Sequence, residues 1–214
     1  MDESKVREPK FRRRAEARPD EVLDAALALF AAQGFAHTTV EAVARAAGLS
    51  KAAVYLYFPS KKALLAGLVR RAVAPVADMA LGQIADYRGD PRPVIALMLR
   101  MMAARLSEPA VFAVPSLILR EAAVAPEMAQ VYREEVLDRV LPAARGLIAQ
   151  GVAGGFIRPV DPDLTIRSIL GPVLAHLLLA QVFGVQPEGG LQLDKLVENH
   201  LAILMAGLDP EGAA

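Results

Sequence analysis

Two short helices joined by only Gly48-Leu49 are the feature that most restricts what this chain can fold into. Thr38-Thr39-Val40-Glu41 has the form of a capping box, with Thr38 at the cap and Glu41 three residues on. Val40, Val43, Ala44 and Ala47 give the first helix an apolar stripe, and Gly48 closes it. Ser50 caps the second, which runs from Lys51 to Phe58. Ahead of the pair, a helix beginning near Pro19 carries Leu23, Ala26, Leu27 and Phe30 at i, i+3, i+4 and i+7. Asp20 and Glu21 suit the positive end of its dipole, Gly34 stops it, and Phe35 follows as a hydrophobic clasp. Two helices around a tight glycine turn, backed by a third, read as a helix-turn-helix unit.

The pattern stays helical to the end. Pro59 and Ser60 open a longer helix over 61–87, and further helices are expected at about 91–107, 109–124, 126–153, 161–184 and 190–207. Gly89, Pro91, Pro109, Pro126, Gly154-Gly155, Pro159, Pro162 and Gly189-Gly190 punctuate them. No strand-period alternation or hairpin dipeptide is present, so the fold is expected to be all-α: an N-terminal three-helix helix-turn-helix domain, then a larger helical domain. The boundaries expected are a flexible basic arm over 1–18, a head over 19–66 and a body over 67–214.

Charge separates the same two parts. The 24 basic and 24 acidic residues cancel, but residues 1–70 hold 12 Lys/Arg against 8 Asp/Glu, and the remainder has the opposite imbalance. A basic head on an acidic, apolar body suggests a polyanion-binding module. Lys10, Arg12, Arg13, Arg14 and Arg18 cluster in the arm, which either reaches a minor groove or phosphate or merely solubilises the chain. With no cysteine, disulfides, thiolate metal sites and cysteine nucleophiles are excluded. His37, His176 and His200 are isolated in sequence, so no metal site or cofactor is expected. A Gly-rich phosphate loop and a nucleophile–base pair are both missing, which argues against an enzyme. Met1-Asp2-Glu3-Ser4-Lys5 is not a secretory signal, and a cytoplasmic protein is expected. Residues 168–187 carry no Asp, Glu, Lys or Arg, a length that would just span a bilayer. Gly171-Pro172, His176, Gln181 and Gln186 lie in or at the edge of that run, and no aromatic belt flanks it. A helix buried in a core or subunit interface fits the same composition, so no membrane is expected.

In a helix-turn-helix the second helix enters the major groove and the first crosses the backbone. Ala52 and Ala53 are small enough for a tight groove, and Tyr55 and Tyr57 offer hydroxyl donors. Thr38, Thr39 and the amides at helix starts offer backbone anchors, with Ser50 at the start of the reading helix. Lys61 and Lys62 occupy a first helical turn, where a cation opposes the dipole at a cost of about 0.3–1 kcal/mol each. A phosphate nearby would reverse that sign; solvated lysines are the alternative. Tyr55 and Phe58 alternatively serve as core residues, and Tyr57 is expected outside.

The stretch Val22-Leu23-Asp24-Ala25-Ala26-Leu27-Ala28-Leu29-Phe30, Gly34-Phe35, Thr38-Thr39-Val40-Glu41, Ala44, Ala47-Gly48-Leu49-Ser50-Lys51, Tyr55, Tyr57-Phe58, Ser60-Lys61 and Leu64-Leu65 resembles the TetR family of bacterial transcriptional regulators. The resemblance spans about residues 20–66; beyond it only length and helical character match. It implies a homodimeric repressor that binds a palindromic double-stranded DNA operator. On this resemblance Thr39, Tyr57 and Lys61 contact phosphates, Lys51, Ala52, Ala53 and Tyr55 face the groove, and Arg45 reaches the backbone. Leu56 departs from the pattern, standing where many relatives have His or another polar or aromatic residue. Readout would then lean on Lys51, thymine methyl contacts and DNA shape.

The body has to supply a subunit interface and an effector cavity. Ile166, Ile169, Leu170, Val173, Leu174, Leu177, Leu178 and Val182 cover too wide an arc for one intrachain contact. Leu193, Leu196, Val197, Leu201, Leu204 and Met205 form another stripe. A four-helix bundle across a two-fold axis is expected from them, centred on Ile169, Val173, Leu174, Leu177, Leu178, Leu201 and Leu204. Met98, Met101 and Met102 cluster with Arg105, Phe112, Ser116, Arg120 and Tyr132 as an expected pocket for a small, moderately hydrophobic effector. The methionines alternatively fill core, and Pro115 is expected to kink its helix. The expected function is a ligand-responsive repressor. An activator, a ligand-independent regulator and a membrane-associated helical protein through 168–187 are the alternatives.

Overall fold

The computed structural model describes residues 10–210, with side chains from Arg18 onward, and among these residues every regular element is a helix. The chain divides into one unit ending at Leu68 and a second beginning at Val69.

In the first unit α1 (Lys10–Gln33) is followed by α2 (Val40–Ala46), α3 (Lys51–Tyr57) and the start of α4 (Lys61–Ala72). Here α1 starts at Lys10 rather than near Pro19, which lies inside the helix. Arg, Ala and Glu dominate 12–18 and favour helix, so residues 10–18 of the expected arm have helical backbone. Residues 1–9, and the side chains of Arg12, Arg13 and Arg14, lie outside the described residues. Val22, Leu23, Ala26 and Phe30 of α1 are buried with Phe35, Val43, Val54, Phe58, Leu64 and Leu65. The α2–α3 turn is a Schellman motif. Leu49 N donates to Ala44 O at 2.9 Å and Gly48 N to Arg45 O at 3.1 Å, with Gly48 at φ 66°, where a side chain would be strained.

The second unit holds α5 (Ala74–Ala85), α6 (Arg92–Leu106), α7 (Pro109–Glu121), α8 (Pro126–Tyr132), a π-helical segment (Arg133–Leu137), α9 (Asp138–Ala153), α10 (Pro162–Gln181) and α11 (Leu193–Leu208). Proline opens α7, α8 and α10, where its missing N–H costs nothing. The single helix expected over 61–87 is interrupted at Val73, because Pro75 can neither donate to nor clear the carbonyl of Arg71. The helix expected over 126–153 is likewise interrupted, by the π segment; it ends one turn before Pro142, a proline inside α9. Ile95 and Leu99 of α6, Ile148 of α9, Ile166, Val173 and Leu177 of α10, and Val197 and Leu201 of α11 form one core. Arg100 of α6 clasps Glu198 of α11 through two bonds of 2.6 and 2.8 Å, and His200 Nε2 lies 3.1 Å from the carbonyl of Ile169.

Candidate nucleic-acid interface and cavity

The α3 helix is short, and its cap sets its direction. Ser50 Oγ accepts from Ala53 N at 3.1 Å, while Val54 and Phe58 are buried. That leaves Lys51, Ala52, Tyr55, Leu56 and Tyr57 exposed and Ala53 half-buried. The two tyrosines are 39% and 38% exposed, so both lie outside the core, and Leu56 is 84% exposed. Leu56 is the apolar side chain most open to a groove, and the departure from the family pattern at its position is the sequence signal that marks it. Thr39 and Arg45 of the α2 segment are also exposed.

Several side chains are already engaged. Lys51 pairs with Glu41 and stands 5.6 Å from the centre of the Tyr55 ring, tying α3 to α2. The ammonium holds the Glu41 carboxyl below its ordinary range, and the carboxylate in turn raises Lys51. The expected capping box is not formed: Thr39, not Thr38, caps α2 by accepting from Ala42 N at 3.1 Å. Thr38 is buried at 1% exposure, donating to Gly34 O at 2.8 Å and accepting from Gln33 Nε2 at 3.1 Å. A hydroxyl sealing the end of α1 is not presented to DNA, so Thr38 is removed from the contact set. Lys61 also has partners in its own chain. Its Nζ donates to the carbonyls of Phe35 and Ala36 at 2.8 and 3.1 Å and sits 4.4 Å above the Phe35 ring. The unfavourable placement of a cation in a first helical turn is thus offset by the chain's own carbonyls, with two of three N–H bonds used. Lys61 clamps the α1–α2 loop.

Thr38→Val keeps the shape and deletes the hydroxyl, leaving a buried carbonyl short of a donor. It is expected to destabilise the first unit by about 1–3 kcal/mol in urea unfolding while DNA affinity of the folded protein is unchanged. Lost affinity at unchanged stability would return Thr38 to the interface.

In the second unit a cavity of about 320 Å³ opens among α5, α6, α7, α9 and α10. Met98, Met101, Met102 and Tyr132 line it; Arg105, Phe112, Ser116 and Arg120 do not. Arg105 turns outward to Glu108 at 2.8 Å, and Arg120 is exposed. Ser116 is buried but donates to Gln181 Oε1 at 2.7 Å, and Phe112 packs against the core. Helical spacing had put all eight near one another without fixing which side of α7 faces inward.

The expected interface residues also divide. Ile169, Val173, Leu177, Leu201 and Leu204 are buried in their own chain, Val173 and Leu177 at 1% exposure, and are corrected to core. Leu174 and Leu178 are exposed at 52% and 39%. The outer face of α10 carries Leu164, Ala175, Leu178 and Leu179, and that of α11 Ala202, Ile203 and Ala206. Thus α10, the one described helix long and apolar enough to cross a membrane, owes its composition to a core face and an exposed face.

Residues 22–68 match the family model described as bacterial regulatory proteins, tetR family, and residues 85–184 match the tetracyclin repressor-like C-terminal domain. The HTH-type transcriptional regulator RutR of Escherichia coli (strain K12) is 27% identical over 203 residues, covering 92% of this chain and 93% of RutR. A solved complex of SmeT with triclosan superposes with a TM-score of 0.78 at 26% identity, covering 92% of this chain and 93% of that one. SmeT is the repressor of a Stenotrophomonas maltophilia multidrug efflux pump. FadR of Bacillus subtilis, solved with stearoyl-CoA, has a TM-score of 0.68 at 20% identity over 88% of this chain and 98% of its own, a likeness of fold alone.

Proposed function

This chain belongs to the tetR family of bacterial regulatory proteins, and we propose that it is a homodimeric, cytoplasmic repressor released from a palindromic operator by a small apolar effector. Its relatives are DNA-binding transcriptional regulators, and it is a transcriptional regulator of the same kind, not an enzyme. The observation that carries the finer reading is the presence, in one chain, of an outward-facing α3 and a cavity of about 320 Å³ in the second unit. In this reading Ala52, Tyr55 and Leu56 meet base edges, Lys51 reaches a base or phosphate from its tether, and Thr39, Arg45, Ser50, Ala53 and Tyr57 lie along the backbone side. The exposed faces of α10 and α11 form the two-fold contact. Dimerisation then sets two α3 helices roughly 34–36 Å apart, one helical turn of DNA.

Release requires that the effector bind two dimer geometries unequally. In this reading the route runs through the π segment. The π segment supplies Val136 and Leu137 to the cavity wall and carries Glu135, which accepts from Arg70 at 3.0 Å. Arg70 lies in α4, the helix that also contains Lys61 of the first unit. π segments inside α-helices occur often at functional sites. Glu135→Gln is expected to leave effector affinity and DNA affinity each close to wild type. The factor by which effector weakens DNA binding should fall several-fold, measured as DNA Kd with and without saturating effector. An unchanged factor would route the coupling elsewhere.

The reading is tested by selecting genomic fragments that the purified protein binds, then screening small apolar molecules for release. Fragments with two-fold symmetry released by a ligand support it; tighter binding on ligand addition favours an activator, and indifference to every ligand favours a ligand-independent regulator.

A further inference from the structure

The wall of the cavity is chemically uniform. Every lining residue is apolar except Tyr132, and none carries a charge. Arginines that adjoin lining residues in sequence are paired with carboxylates elsewhere: Arg100 with Glu198, Arg105 with Glu108, Arg133 with Asp138 and Arg139 with Asp78. An ionised group entering such a space would exchange water for hydrocarbon with no counter-charge to meet it, a cost of several kcal/mol. Tyr132 stands at the junction of α8 and the π segment, half-buried, with no hydrogen-bond partner among the described residues. Burial pushes its phenol up, so the hydroxyl stays protonated near neutral pH and can both donate and accept. Sites of this size are generally apolar with a few placed polar groups that fix orientation; here there is one.

We propose that the cavity takes an uncharged, predominantly apolar molecule bearing a single hydrogen-bonding group, which it orients on the Tyr132 hydroxyl, and that it rejects carboxylates, phosphates and protonated amines. The inference rests on the effector-responsive reading above, and deepens it by fixing the ligand's charge and polar count. The methionines allow the apolar portion to vary in shape, since Met98, Met101 and Met102 can repack around different outlines. Selectivity is accordingly strict at one point and loose elsewhere. A long acyl chain with a charged headgroup fits neither requirement.

Three probes of matched outline test this: 4-hexylphenol, hexylbenzene and 4-hexylbenzoate, titrated calorimetrically against the full-length protein near neutral pH without DNA. The phenol is expected to bind about tenfold more tightly than the hydrocarbon, the worth of one buried hydrogen bond to an otherwise unpaired hydroxyl. The benzoate is expected to bind at least about 100-fold more weakly than the phenol. In Tyr132→Phe the phenol should lose its advantage while hexylbenzene binds as before, which shows the cavity intact. Equal or tighter binding of the benzoate, an undiminished phenol advantage in Tyr132→Phe, or no binding of the phenol overturns the inference. Release of operator DNA is read separately. A phenol that binds without releasing DNA sinks the effector reading and leaves the cavity chemistry standing; a benzoate that binds and releases does the reverse.

Discussion

If the exposed face of α10 forms the proposed two-fold contact, Leu178→Glu is expected to convert the proposed dimer to monomers at micromolar concentration, while Leu177→Glu unfolds the second unit. The two leucines are adjacent, yet Leu177 is 1% exposed and Leu178 39%. At Leu177 a carboxylate would enter a hydrocarbon core beside Ile166, Val173 and Val197, where it has no partner. At Leu178 the side chain reaches solvent in the monomer, so the substitution leaves the fold alone and acts only when a second copy covers that face. A two-fold contact presents each substitution twice, so both glutamates lose water together. The dimer Kd is expected to rise by at least about 100-fold, as an unpaired buried charge costs several kcal/mol. Ala175, Ala202 and Ala206 beside Leu178, Leu179 and Ile203 suit close helix approach on that face. Sedimentation at several loading concentrations measures this directly, and an undiminished dimer would locate the contact elsewhere. Operator affinity should fall in parallel, because one α3 gripping one half-site forfeits the second set of contacts.

The pairing of Leu177 and Leu178 also marks where sequence reading stops. Punctuation by single residues was legible: Gly48 closing α2, Ser50 starting α3, and Pro109, Pro126 and Pro162 opening helices, each a local backbone effect. So was the burial of Phe30, since a periodic stripe must face something, and that of Phe35 as the clasp after Gly34. The periodicity of α10 gives two apolar faces without saying which is covered by its own chain, so the expected interface set mixes the inner Ile169, Val173 and Leu177 with the outer Leu174 and Leu178. Lys61 shows a related gap. Its place in a first helical turn argued for an anion, but its long stem reaches carbonyls 25 and 26 residues earlier in the chain, a partner no local spacing can reveal. Arg105, Ser116 and Arg120 differ from expectation for the same kind of reason: Arg105 and Ser116 find partners outside the cavity, Arg120 is exposed, and of the polar residues only Tyr132 stays on the wall.

Phe35→Ala is expected to abolish binding to DNA of any sequence while leaving the cavity's ligand affinity within about twofold of wild type. Burial and two specific contacts converge on this ring. It is 1% exposed, its centroid lies 5.0 Å from that of Phe30 at an interplanar angle of 58°, and the Lys61 ammonium sits 4.4 Å above it. Truncation removes the transfer free energy of a buried phenyl group and leaves a cavity, together about 3–5 kcal/mol. It also takes away the face on which Lys61 rests, loosening the clamp on the carbonyls of Phe35 and Ala36. A unit of this size buries a smaller fraction of its surface than a large domain does and has little stability in reserve, so a loss of that magnitude exceeds what it can absorb. Hydrogen exchange resolved by peptide is the appropriate measurement. Amides of α2 and α3 should lose protection while those of α6, α9 and α11 retain it, since Phe35 has its buried neighbours in the first unit. Simultaneous loss of protection in both units would show that they unfold as one cooperative body. Retained DNA binding would show that α3 holds its place without the ring beneath the α1–α2 loop, and the account of that loop as the head's anchor would fail.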